Sequence, residues 1–213
     1  MTGNTPSTLP IRILVPDALG ICMVVVAEPK PLSKLREYTG EQKLIRKLGA
    51  GASGTVCLVE LRVPTGGGEA ETVIAVEKSI LGLEGDETLI EDFKRELMCL
   101  TALEHDCIVR GYGFRRSPPS IYMEYVEGGD LVNIIENKGL SSSQGYDIIW
   151  DIASSMVYLH ELGYIHRDLK PANILIRELK PGKYQAKLCD FGGTTFAFAG
   201  NEIRSAHGYV QSI

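Results

Sequence analysis

The chain has 213 residues, of which 44% are hydrophobic and 23% are charged. This composition allows a buried core and excludes a chain that is disordered throughout. Twenty-two Lys and Arg against 27 Asp and Glu give a net charge of −5, which disfavours general binding to nucleic acid because that binding needs a basic face.

The first 40 residues are predicted to be an irregular N-terminal extension, since five prolines divide them into short pieces. Their longest apolar run, residues 21–27, is far short of the roughly 18 residues that a membrane span needs. It also lacks the basic flank of a secretory signal. We expect a soluble protein with no membrane partner, and we assign these 40 residues no function.

From residue 41 the pattern becomes rich in β structure. Three runs of strand length are separated by Gly-containing turns, at residues 43–49, 55–63 and 72–79. A helix is predicted next, because Leu89, Phe93 and Leu97 recur at helical spacing behind a candidate capping box, Thr88-x-x-Glu91.

The second half of the chain is predicted to be mainly helical. Strand-like runs at 108–114 and 120–126 precede a long helix at 142–162, on which Ile149, Ile152, Met156 and Leu159 line one face. Two short strands follow at 174–176 and 186–189. The order of elements predicts an α+β fold.

Five cysteines are present, an odd number, and no two of them form a C-x-x-C pair. The sequence therefore indicates neither a disulfide framework nor a zinc site. Free cysteines are typical of a reducing compartment, so cytoplasmic localisation is expected.

A glycine-rich segment, G-x-G-x-x-G-x-V, is formed by Gly49, Gly51, Gly54 and Val56. Glycines here would let backbone amides come close to a phosphate chain, because no Cβ blocks the approach. Gly54 is not followed by Lys, so the segment is not a P-loop. The residues after Gly54 are strand-like and not helical, which counts against a dinucleotide-binding fold.

The strongest signal is HRDLKPAN at residues 166–173, followed by DFG at 190–192. With the glycine-rich segment, these motifs resemble the eukaryotic protein kinase family, and Lys170, two residues after Asp168, is typical of its Ser/Thr-directed members. FKREL at 93–97 and His105 weakly favour the tyrosine-kinase-like subgroup. The resemblance implies a two-lobed fold, with a small lobe at 41–124, a hinge at 124–130 and part of the large lobe at 131–213.

The resemblance also implies cofactors and roles for the motif residues. ATP would be the phosphate donor, a protein hydroxyl the acceptor, and Mg²⁺ the metal. Asp168 would accept the proton of the attacking hydroxyl, and Lys170 would neutralise charge on the γ-phosphoryl group. Asn173 and Asp190 would hold Mg²⁺, since both offer hard oxygen ligands.

The segment at 123–131 resembles the hinge of that family. Met123 would be the gatekeeper, the backbones of Glu124 and Val126 would contact adenine, and Asp130 would face the ribose. The alternative for Asp130 is a simple helix N-cap. In the predicted first helix, Glu96 would pair with a strand lysine, whereas His166 of the HRD motif is expected to be a packing residue.

The resemblance implies a strand with the pattern A-x-K, whereas the corresponding segment here is Ala75-Val76-Glu77-Lys78. We expect Ala75 and Glu77 to share the side that faces the nucleotide and Lys78 to point away, because side chains alternate along a strand. Glu77 would then repel Glu96 by about 4 kcal/mol at 4 Å and an effective dielectric of 20. The alternative is a bulge that turns Lys78 inward.

Only 21 residues follow Gly192, and they contain no A-P-E motif. The sequence therefore resembles a truncated kinase domain, with some apolar helix surface exposed and with doubtful activity. Three hypotheses stay open. They are a Ser/Thr protein kinase, a pseudokinase or nucleotide-binding scaffold, and a non-functional fragment of a gene model. The oligomeric state cannot be predicted.

Overall fold

The computed structural model describes residues 36–39, 42–51, 54–64, 70–80, 87–198, 202–204 and 210–212. The predicted irregular extension, 1–40, lies outside the described residues except for 36–39. Within the described part, the order of elements is that of an α+β fold, as the sequence predicts.

A five-stranded antiparallel sheet forms the first half of the fold. Its strands are β1 (Lys43–Gly51), β2 (Gly54–Pro64), β3 (Ala70–Ile80), β4 (Gly111–Arg115) and β5 (Ser120–Glu124), in the spatial order β1-β2-β3-β5-β4. The fourth strand begins three residues later than predicted, because Ile108 forms an isolated bridge with Leu188 instead of joining the sheet.

The two faces of this sheet pack against different groups. On the outer face, Ala75 and Tyr122 belong to a small cluster with Tyr38, Val59 and Leu61. On the inner face, Met123 belongs to the main core and Val76 packs against it. The middle of β3 and the middle of β5 therefore carry apolar side chains on both faces, which removes the alternation that would otherwise identify the inner side.

The described residues form three α-helices, and the first of them packs against β4 of the sheet. They are α1 (Glu87–Ala102), α2 (Leu131–Asn137) and α3 (Ser142–Glu161). Because α1 already includes Glu87, Thr88 lies within its first turn and is not the N-cap that the sequence suggested. A capping box is present instead at α3, between Ser141 and Gln144.

The main core lies where the two halves of the fold meet. A hairpin of β7 (Ile174–Lys180) and β8 (Lys183–Leu188) packs on α3, and a short 3₁₀ helix (Pro171–Asn173) precedes it. β6 (Tyr164–Ile165) pairs with β9 (Thr195–Phe198), which continues through β10 (Glu202–Arg204) to β11 (Val210–Ser212). None of the described helices is long and apolar enough to cross a membrane.

Candidate active site

A cleft separates the five-stranded sheet from the β7–β8 hairpin. It contains a cavity of about 680 Å³ beside the segment that joins β5 to α2, and a neighbouring cavity of about 420 Å³ beside α1. The candidate residues that line these cavities are Gly49, Gly54, Val56, Lys78, Glu96, Glu124, Val126, Asp130, Asp168, Asn173 and Asp190. The cleft therefore collects most of the side chains that the sequence singles out.

The glycine-rich segment is a β-hairpin at the edge of the cleft. Gly49 and Gly51 lie in β1, and Gly54 and Val56 lie in β2, so the segment leads into a strand as predicted. Its tip, residues 52–53, is outside the described residues. Gly54 has a further structural reason to be glycine, because a Cβ there would collide with the carbonyl oxygen of Ser79 in β3.

Lys78 lies inside the cleft and forms an ion pair. Its Nζ donates to both carboxylate oxygens of Glu96 in α1, at 2.7 and 2.9 Å, and lies 3.5 Å from Oδ1 of Asp190. Burial opposes the charge on Lys78, but the carboxylates of Glu96 and Asp190 hold its pKa above the usual value. Lys78 is therefore a charged donor at the centre of the cleft.

The expectation that Ala75 and Glu77 face the cleft is wrong. β3 pairs with β2 and β5 without a bulge, so its side chains alternate between the two faces as expected. The set that faces the cleft is the other one, however, and it contains Val76 and Lys78. Ala75 is fully buried on the outer face. Val76 takes its place in the cleft, and the segment reads V-x-K with Lys78 as its lysine.

Glu77 has partners on the outer face of the sheet. Its Oε1 accepts a hydrogen bond from the hydroxyl of Tyr122 at 2.9 Å and lies 3.7 Å from Nη1 of Arg115. The repulsion predicted between Glu77 and Glu96 is therefore absent, because the two carboxylates lie on opposite sides of β3.

The loop between β6 and the 3₁₀ helix carries a second charged group. Nζ of Lys170 donates to Oδ2 of Asp168 at 2.7 Å, and Nδ2 of Asn173 donates to the same oxygen at 2.9 Å. Mainly because of the hydrogen bond from Lys170, the pKa of Asp168 is below its usual value. Asp168 is thus an ionised, oriented carboxylate with little burial.

His166 is fully buried and supports this loop. The backbone N–H of Asp168 donates to its Nδ1 at 3.3 Å, so Nε2 carries the proton and donates to the carbonyl oxygen of Cys189 at 3.0 Å. Its ring meets Phe191 edge-on with centroids 5.2 Å apart. Burial lowers the pKa of His166 and keeps it neutral. These contacts agree with the packing role expected from the sequence.

The segment between β5 and α2 forms the back of the larger cavity. Met123, Glu124 and Val126 line it, and Asp130 lies at its far end. The carboxylate of Asp130 also accepts from the backbone N–H of Asn133 at 2.8 Å and caps α2. The N-cap alternative is therefore correct, and it is compatible with a position at the cavity wall.

Several residues of the cleft were missed by the sequence reasoning. Val76 and Leu175 supply apolar surface above and below the larger cavity, and Cys189 lines it just before Asp190. Arg177 and Lys187 hold the carboxylate of Glu124 from the hairpin. Of these residues, only Val76 has a sequence signal: it lies two residues before Lys78 and therefore on the same side of the strand.

Asn173 and Asp190 fit a magnesium site better than a zinc site. Among the residues that the structure describes, no group of three or more His, Cys, Asp or Glu side chains could hold a metal. Nδ2 of Asn173 donates to Asp168, which leaves the amide oxygen as the free hard ligand of this side chain, and Asn173 and Asp190 line the same cavity. One or two such oxygens are enough for Mg²⁺ when phosphate oxygens and water complete its shell.

Comparison with known proteins shows a match between residues 42–210 and the protein kinase domain. The chain is 30% identical over 178 residues to the serine/threonine-protein kinase cds1 of Schizosaccharomyces pombe, covering 81% of this chain and 37% of that protein. It is 35% identical over 169 residues to the ovarian-specific serine/threonine-protein kinase Lok of Drosophila melanogaster, covering 76% of this chain and 35% of Lok.

A plant relative shows a similar coverage. The CBL-interacting protein kinase 21 of Oryza sativa subsp. japonica is 36% identical over 156 residues, which cover 72% of this chain and 28% of that protein. The chain therefore spans about a third of the length of these curated relatives.

Proposed function

The chain belongs to the protein kinase family, and from this premise we propose that it acts as a protein serine/threonine kinase that transfers the γ-phosphate of ATP to protein hydroxyls. The observation that supports this most directly is the meeting of two charged groups in one cleft. The first is Lys78 with Glu96 and Asp190, and the second is Asp168 with its two partners, Lys170 and Asn173.

The residues of the cleft divide the work of phosphoryl transfer between binding and orientation. Adenine binds against the backbone of Glu124 and Val126. Val56, Val76 and Leu175 line the same cavity and supply apolar surface for the base. Lys78, held by Glu96, donates to the phosphates. Asp130 contacts the ribose.

Asp168 then orients the substrate hydroxyl and accepts its proton, while Lys170 offsets charge on the transferred group. Asn173 and Asp190 would hold Mg²⁺, which would supply positive charge to offset that of the phosphates. Since little covalent chemistry falls to the protein in this reaction, placement and electrostatics supply most of the rate increase.

The pseudokinase alternative is not favoured. That alternative requires an acidic residue in place of the strand lysine, whereas Lys78 lies in the cleft and pairs with Glu96. We therefore propose a binding-competent nucleotide site in this chain.

The setting of the reaction is also a proposal. The described cysteines, Cys57, Cys99, Cys107 and Cys189, are free, which is compatible with a reducing compartment. We place the kinase in the cytoplasm, in signal transduction, with proteins as substrates.

Transfer of ³²P from γ-labelled ATP to a mixture of generic protein substrates tests the proposal, followed by phosphoamino-acid analysis. We expect labelled phosphoserine and phosphothreonine with the unmodified chain, and a loss of about 10²–10⁴-fold with Asp168→Asn. Label confined to phosphotyrosine, or equal labelling by Asp168→Asn, would contradict the proposal. Saturating ATP with Mg²⁺ should also raise the melting temperature, since a ligand at 100 times its Kd stabilises by about 2.7 kcal/mol.

A further inference from the structure

Four charged side chains form a cluster behind the segment between β5 and α2, apart from the loop that carries Asp168. Glu124 and Glu127 belong to that segment, and Arg177 and Lys187 belong to the β7–β8 hairpin. Lys187 is nearly buried at 8% exposure, and Arg177 is 27% exposed. Charged side chains are rarely placed at such depth without close partners.

Arg177 makes three contacts to the segment at once. Nη2 donates to Oε1 of Glu124 at 2.8 Å and to the backbone carbonyl oxygen of Tyr125 at 3.3 Å, and Nε donates to Oε2 of Glu127 at 3.4 Å. The planar guanidinium is suited to such a fork, whereas an ammonium is not. Arg177 therefore constrains both side chains and backbone over four consecutive residues.

The other oxygen of Glu124 is held independently. Its Oε2 lies 3.1 Å from Nζ of Lys187 and accepts from the backbone N–H of Arg110 at 3.2 Å. Burial opposes the charge on Glu124, but the Lys187 ammonium and the backbone N–H of Arg110 hold its pKa below the usual value. The carboxylate is thus ionised and fixed from two directions, and Arg177 adds the link to Tyr125 and Glu127.

Backbone contacts continue the same attachment toward α2. The N–H of Gly128 donates to the carbonyl oxygen of Ile176 at 2.9 Å, and the N–H of Ile176 donates to the carbonyl oxygen of Gly129 at 2.8 Å. Residues 124–129 are therefore held as an added strip along β7, and the same residues form the wall of the larger cavity.

We propose that Arg177 is a positioning residue that fixes the path of residues 124–127 and so sets the affinity and the base selectivity of the nucleotide site. This inference rests on the proposed function, because it takes the larger cavity as the nucleobase site. Hydrogen bonds from a fixed backbone discriminate between bases only while their geometry is held, so a loosened wall loses selectivity along with affinity.

The test compares the binding of MgATP, MgGTP and inorganic tripolyphosphate, by titration calorimetry, to the full chain and to three variants. Arg177→Met removes the fork, and Arg177→Lys keeps the charge without it. Lys183→Met is the matched control, because it removes a cation from the same hairpin whose partner is Asp147, at 2.8 Å on α3.

We expect Arg177→Met to weaken ATP binding by about tenfold while tripolyphosphate binding changes less than about twofold, so that the ATP-to-GTP affinity ratio falls. Arg177→Lys should show an intermediate ratio, and Lys183→Met should match the unmodified chain. If Arg177→Met does not fold, a reduced ratio in Arg177→Lys supports the inference and an unchanged ratio overturns it.

Other outcomes overturn the inference directly. Unchanged or tighter ATP binding in Arg177→Met would show that the wall does not depend on the fork. Equal weakening of ATP, GTP and tripolyphosphate would show a general structural role. If the unmodified chain binds no ATP, the proposed function itself fails, and this inference fails with it.

Discussion

On β3, two adjacent residues of opposite charge divide between the two faces of a sheet. Lys78 lies with Glu96 and Asp190 in the cleft, and Glu77 lies with Tyr122 and Arg115 on the outer face, where its side chain is 13% exposed. Each charge is met by partners of complementary chemistry, which explains how both are accommodated in the half-buried part of β3.

This geometry predicts opposite consequences for the two residues. Lys78→Met should remove the donor to the phosphates and lower kcat/KM for ATP by about 10²-fold or more. Glu77→Gln keeps an acceptor for the Tyr122 hydroxyl and should change kcat/KM by less than about threefold. Steady-state kinetics with varied ATP would measure both, and the reverse ranking would mean that β3 has the other phase.

A second prediction concerns the pH dependence of Asp168. The carboxylate must be ionised to accept a proton, and Lys170 holds its pKa below the usual 3.8. The acid limb of the kcat profile that reports Asp168 should therefore lie at low pH and move to higher pH in Lys170→Met. Since that variant also lowers kcat at every pH, the position of the limb is the informative quantity. An unmoved limb would mean that Lys170 does not set the ionisation of Asp168.

Between elements, the packing of residues 124–129 on β7 depends on a glycine. A Cβ on Gly128 would collide with the carbonyl oxygen of Ile176, the same oxygen that accepts from the Gly128 N–H. The first glycine of the Gly128-Gly129 pair is therefore required for steric reasons. Gly129 has a φ of +78°, which favours glycine for a conformational reason instead.

We expect Gly128→Ala to destabilise the fold by about 1–3 kcal/mol and to weaken ATP binding, because the segment must move off β7. The control is Gly145→Ala in α3, where an added Cβ meets no atom within 4 Å. That change should stabilise the helix by about 0.5–1 kcal/mol. Urea unfolding of both variants measures the difference, and equal effects at the two sites would refute the steric explanation.

Across the whole molecule, one apolar surface stands out on α3. Tyr146, Ile149, Trp150 and Val157 lie on one face at helical spacing, and Trp150 is 77% exposed. The prediction that apolar helix surface is exposed is confirmed for Ile149. Ile152 and Met156 are partly buried, because they pack against the main core on one side. The buried face is centred on Ile148, Ser155 and Leu159.

Such a patch predicts concentration-dependent self-association of the chain. Replacing Ile149 and Trp150 together by Ser should lower the apparent mass in light scattering at high concentration. ATP affinity should stay unchanged, because the patch is remote from the cleft. A chain that is monomeric at all concentrations before the substitution would contradict the prediction.

Much of this protein is determined by its sequence alone. Local spacing and turn residues are enough to identify the motifs at 166–173 and 190–192. They also predict the order of strands and helices and the strand after the glycine-rich segment, because these features depend on residues that are neighbours in the sequence. The segments that lie on the cleft wall could be identified in the same way, although the roles of their side chains stay proposals.

Only the tertiary structure decided which side chains of β3 face the cleft and which charged side chains meet behind residues 124–127. Residues 73–76 are all apolar, so no alternation of apolar and polar side chains shows which of the two alternate sets faces inward. Only pairing with β2 and β5 places Lys78 beside Glu96. Likewise Arg177 and Glu124 are 53 residues apart in the sequence, and they meet only because the β7–β8 hairpin packs against the segment between β5 and α2. Local patterns carry no information about such contacts, since their energy comes from elements that the chain brings together only on folding.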